Sequence, residues 1–139
     1  MNWLMFALIS ALAAAATAIL AKVGVEGVPS NLATAIRTVV VAVCAWLLVG
    51  ATGEIRGAMT ISRRSLVFLG LSGVATAISW IAYFRALQLA PASRVSPVDK
   101  LSLPLTIVLA AALLGEQIGW RVTIGVSLMT VGAILTIGR

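Results

Sequence analysis

The sequence has 139 residues, 61% of them hydrophobic and only 10% charged, where a soluble domain carries about 25% charged residues. Ten Lys and Arg stand against four Asp and Glu, for a net charge of +6, with one cysteine and no histidine. That composition excludes a water-facing globule, an intrachain disulfide and a histidine-built zinc or haem site. The solvent of this chain is lipid.

The pattern predicts an all-α membrane protein, a bundle of five transmembrane helices in a single domain over residues 1–139. All five are expected as helices because lipid offers backbone groups no partner. The alternating short segments of a β-barrel are not seen. The first span covers about 3–21. It starts at Trp3 without a basic region before it, which reads as a retained helix rather than a cleaved signal. Lys22 closes it, and Gly24, Glu26, Gly27, Pro29 and Ser30 read as a turn.

The second span covers about 32–50, with Ser30 or Asn31 as its N-cap. It carries Arg37 about two turns in and Cys44, read as a small packing residue. The longest loop follows over 51–64, with Glu54, Arg56, Arg63 and Arg64. Ser62 reads as a cap for the third span, 65–89, which Pro91 stops.

The fourth span covers about 95–115, starting near Val95 or Pro97. Pro97 and Pro104 flank its early half and read as a hinge, because proline lacks an N–H and kinks a helix. The fifth covers about 119–138, some 30 Å at about 1.5 Å per residue. Trp3 and Trp120 open spans one and five on one membrane side and read as interfacial belt residues. Gly70 with Gly73, and Gly125 with Gly132, suit close helix packing.

Loop charges do not orient the chain. The side of Met1 holds Arg56, Arg63, Arg64 and Arg121; the other holds Lys22, Arg37, Arg85, Arg94, Lys100 and Arg139. With Arg37, Arg85 and Lys100 counted as intramembrane the balance is close, which fits dual topology and also a weakly biased single topology.

Charges below the interface are the informative residues, since each costs roughly 2.5–3.5 kcal/mol at a helix centre. Arg37, Arg85, Asp99 and Lys100 all enter from the second side, at depths of roughly 5–10 Å. Asp99 is expected to face Arg37 or Arg85, with Lys100 turned to a cavity or the interface. Arg85 and Lys100 either line a cavity or snorkel to the headgroups. Asp99 is short, which points to pairing or to coupling of a proton. Trp80 and Tyr83, three apart on the third span, suit either an organic-ligand site or plain helix packing.

The order of motifs resembles the EamA-type members of the drug/metabolite transporter superfamily. The carrying residues are Tyr83-Phe84-Arg85-Ala86-Leu87 with Ala90-Pro91-Ala92-Ser93, then Leu113-Leu114-Gly115-Glu116. Gly125, Gly132 and Gly138 follow, and Arg37 stands after Thr34-Ala35-Ile36. The resemblance spans nearly the whole chain and fits its short, single-repeat, five-helix branch. Asp99-Lys100-Leu101-Ser102 departs from the more apolar segment of the ten-helix members.

The resemblance implies a transporter of small organic metabolites. An odd helix count inverts a second copy fused in tandem, and inverted repeats suit alternating access. One repeat therefore implies a homodimer, preferably antiparallel. The expected function is a secondary transporter, an exporter by preference and proton-coupled through Asp99 in the strongest form. The alternatives are a flippase or carrier of lipid-linked headgroups and a non-transporting subunit of a membrane complex. An enzyme is not expected, for want of a nucleophile–base pair, and no cofactor is expected. ATP drive by a GxxxxGK[ST] loop is excluded. The expected partners are a small-molecule substrate, the bilayer and a second copy. Nucleic acid is not expected, since the basic residues form no run. The place is a cell membrane, the inner one in a bacterium. Glu116 reads as a turn or cap residue at the start of the fifth span.

Overall fold

A computed structural model describes residues 2–137, without the side chains of Ala58 and Met59. The expectations resting on Met1, Gly138 and Arg139 lie outside the described residues. Among these residues the secondary structure is wholly helical: α1 (Trp3–Gly24), α2 (Ser30–Thr52), a 3-10 helix (Glu54–Thr60), α3 (Arg63–Leu89), α4 (Ala92–Asp99), α5 (Ser102–Leu114) and α6 (Trp120–Leu135). Four stretches are long and apolar enough to cross a membrane: α1, α2, α3, and α4 with α5 taken together as Ala92–Leu114. With α6 these make the five helices of an all-α membrane protein. Large apolar side chains such as Leu12, Leu20, Leu48 and Leu128 lie exposed along them, which suits lipid and not water.

The chain divides into two compact units, one of Leu20–Leu89 and one of Met1–Ile19 with Ala90–Arg139. In the first unit α2 packs against α3. Its best-buried residues are Val25, Phe84 and Leu87, at 2%, 3% and 0% exposure. In the second, α4 and α5 each pack against α6.

The helix ends show local chemistry. Ser62 caps α3 as expected, its Oγ accepting the Ser65 N–H at 3.1 Å. The start of α2 differs: Ser30 is already helical, Pro29 occupies the cap position and no side chain caps it. Thr34 Oγ1 instead donates to the Ser30 carbonyl at 2.9 Å, and Thr38 Oγ1 to Thr34 at 2.8 Å. Hydroxyls placed this way are satisfied without water. The loop expected over 51–64 is largely helical. Gly53, at φ 72°, ends α2 in the left-handed region, and the 3-10 helix begins at Glu54.

The fourth span starts earlier than expected, at Ala92, and is broken. Pro91 caps α4, which ends at Asp99, and α5 restarts at Ser102. Pro104 explains the break. It has no N–H for the carbonyl four residues back, that of Lys100, and its ring crowds that carbonyl. The Lys100 oxygen takes the Leu103 N–H instead, at 3.0 Å, and Leu101 N–H reaches Val98 at 3.0 Å. Both are the shorter 3-10 step.

The fifth helix is shorter than expected. After Leu135 the amides of Thr136 and Ile137 tighten to Ala133 and Ile134, at 3.2 and 3.0 Å. Glu116 serves the preceding turn through its main chain: its N–H returns to the Ala110 carbonyl at 3.3 Å, beside Gly115 at φ 68°. No side chain caps α6. Cys44 is exposed rather than packed. A Cβ built on Gly70 or Gly73 meets nothing within 4 Å in its own unit, and the same holds of Gly125 and Gly132 in theirs.

Candidate functional site

The first unit gathers the expected residues of α2 and α3. Arg37 lies seven residues into α2, about 10 Å along the helix. Its guanidinium carbon is 4.0 Å from the centre of the Trp80 ring and 5.6 Å from that of Phe84. Trp80 and Phe84 are four apart on α3 and so share a face. Tyr83 meets Phe84 edge-on, with ring centres 6.4 Å apart at 65°. Arg37, Trp80 and Tyr83 are half-buried and Phe84 is buried. Sequence reasoning chose Trp80 with Tyr83. The structure puts Phe84 on the cation instead, and i, i+4 spacing from Trp80 was the signal for it.

A second set ties the end of α3 to the turn after α1. Arg85 Nη1 donates to Gln88 Oε1 at 3.0 Å, and Gln88 Nε2 donates to the Val28 carbonyl at 2.7 Å. Lys22 Nζ donates to the Leu87 carbonyl at 2.7 Å. That carbonyl is among the last four of α3, which have no helical partner, and a cation there also suits the helix dipole. Gln88 was missed by sequence reasoning. Its spacing of three from Arg85 was the available signal, but its partner is a main-chain oxygen that no side-chain pattern announces.

Two adjoining recesses open beside Arg85. One, of about 390 Å³, is lined by Gly27, Val28, Pro29, Ser30, Asn31, Arg85 and Gln88. The other, of about 560 Å³, is lined by Ser30, Asn31, Ile78, Ile81, Ala82 and Arg85. Their common wall is Ser30, Asn31 and Arg85. The exposed Arg85 therefore stands at a mouth with polar and apolar walls.

Asp99 and Lys100 belong to the second unit, as do Pro97 and Pro104. They bond to each other, Nζ to Oδ2 at 3.3 Å, at the broken end of α4. Neighbours on a regular helix point about 100° apart. Here the long lysine side chain bridges that divergence just where the helix stops. It is the one ion pair among the described residues, and with its side chains 53% and 37% exposed it contributes little to stability.

Four helical stretches long and apolar enough to cross a membrane, with α6 beside them, define a multi-pass membrane protein. The model of the EamA-like transporter family matches residues 1–138. A Sinorhizobium protein described as "Uncharacterized transporter in cobO 3'region" is 45% identical over 134 residues, covering 96% of this chain and 95% of that one. No solved structure matches. The chain belongs to the EamA-like transporter family.

Proposed function

We propose that the chain is a secondary transporter that exports small organic metabolites by alternating access, working as a homodimer with its copies preferably antiparallel. The observation that carries this reading is Arg37 held against Trp80 and Phe84 inside α2, in a chain of a transporter family. A cation at that depth is costly and is kept where it meets a moving solute or ion. The substrate and coupling residues are Arg37, Trp80, Tyr83, Arg85, Asp99 and Lys100. Pro97 and Pro104 form the hinge, supported by the break at Lys100 and Leu101. Asp99 is the proton-coupling group. Gly70 and Gly73, open within their own unit, support a second copy as partner.

Reconstitution tests the reading. Purified protein in liposomes exchanges a labelled metabolite mixture, and crosslinking in native membranes captures dimers. A chain that stays monomeric, or liposomes that exchange nothing, would contradict it. The exposed Arg85 beside its recess favours one other reading, a carrier of lipid-linked headgroups. Headgroup movement without metabolite exchange would select it.

A further inference from the structure

We propose that Arg37 is an oxyanion receptor, and that what it recognises is a planar carboxylate or a phosphate with an apolar part. Calling that oxyanion the cargo rests on the transport reading above; its binding does not.

The inference comes from what Arg37 does and does not touch. Among the described residues its contacts are two aromatic rings, and none of them takes a hydrogen bond or an ion pair from it. A guanidinium carries five N–H donors in one plane. The guanidinium carbon lies over the Trp80 ring, 4.0 Å from its centre. The rings cover part of the guanidinium and supply no oxygen, so its N–H donors are left without a conventional acceptor among the described residues. The ring offsets part of the cost of a half-buried cation, but it accepts no conventional hydrogen bond. Unmade bonds to a charged group cost more than any others.

Geometry selects the class of ligand. A fixed guanidinium edge matches two oxygens side by side, the bidentate pairing with carboxylate or phosphate. A neutral solute leaves the charge uncompensated, and a cation meets repulsion. Phe84 and Tyr83 beside the stack supply an apolar wall. Trp80 acts here as a positioning residue: its ring, 4.0 Å from the guanidinium carbon, limits where that group can move.

The test is ligand-induced thermal stabilisation of the full chain in maltoside detergent, which carries no phosphate. The probes are benzoate, its neutral counterpart benzamide, and phosphatidylglycerol. Benzoate at ten times its Kd raises Tm by about 5 °C, and benzamide does not. Arg37→Gln abolishes the response. Arg37→Lys keeps the charge, loses the planar fork and weakens the response at least tenfold in Kd. A response to phosphatidylglycerol alone, lost in Arg37→Gln, also supports the oxyanion and assigns its source to lipid. If Arg37→Gln does not fold, benzoate against benzamide on the wild type still decides. Equal responses to benzoate and benzamide, no response to benzoate or to phosphatidylglycerol, or a response unchanged by Arg37→Gln would overturn the proposal. Flux is not read, so a protein that binds benzoate and moves nothing refutes only transport.

Discussion

The guanidinium of Arg37 lies over the Trp80 ring, 4.0 Å from its centre, and joins α2 to α3 through a charge placed about two turns inside a span. With the longer contact to Phe84, at 5.6 Å, this contact ties the two helices by a cation and π-faces, where Lys22 and Gln88 use hydrogen bonds to carbonyls. A double-mutant cycle with Arg37→Met and Trp80→Leu isolates it. We expect a coupling of about 0.5–2 kcal/mol, read from unfolding in mixed micelles. Additive effects would remove the stack as an energetic unit.

Lys22→Met and Gln88→Leu should each loosen the same end of the first unit. The Lys22 bond to the Leu87 carbonyl is charge-assisted, and its loss is expected to cost about 1.5–3 kcal/mol. The Gln88 bond to Val28 is neutral, and its loss should cost about 0.5–1.5 kcal/mol. Unfolding midpoints check both. The reverse order would show that the lysine is solvated rather than bonded.

Pro104→Ala should mend the break in the fourth span. The new N–H gains the Lys100 carbonyl as partner, and the crowding on that carbonyl disappears. Hydrogen exchange at residues 100–104 should slow, and transport should slow with it if bending there belongs to the cycle. Unchanged exchange would place the cause of the break elsewhere.

Gly115→Ala should destabilise by about 1–2 kcal/mol, since φ at this position is +68° and a Cβ is disfavoured there although space is open. Gly73→Ala in α3, at a helical φ with open space, should leave the monomer no less stable. Any loss of crosslinked dimer in Gly73→Ala would then report on the interface between copies. Equal stability loss in both variants would undo the distinction.

The spans were legible because unbroken apolar runs leave a chain no alternative to helix in lipid. The membrane class, the cap at Ser62 and the disturbance by Pro104 follow from single residues and short spacings. Other features depend on partners that sequence does not display. Gln88 reaches a main-chain oxygen 60 residues away. Asp99 bonds its own neighbour because α4 ends there, which regular helix geometry does not anticipate. Phe84 rather than Tyr83 faces Arg37 because the third helix turns its i, i+4 face to α2. Ser30 fails to cap α2 because Pro29 already holds the extended conformation that a cap needs. The fourth span begins at Ala92, since Pro91 that ends one helix also starts the next.

Counterflow distinguishes transport through the Arg37 site from binding alone. Liposomes loaded with an unlabelled mixture of metabolite carboxylates take up the labelled mixture when they contain the wild-type chain. Uptake should stand well above that of empty liposomes and fall at least tenfold in Arg37→Gln inserted to the same level. No uptake by the wild type would rule out transport, and undiminished uptake by Arg37→Gln would remove Arg37 from its path.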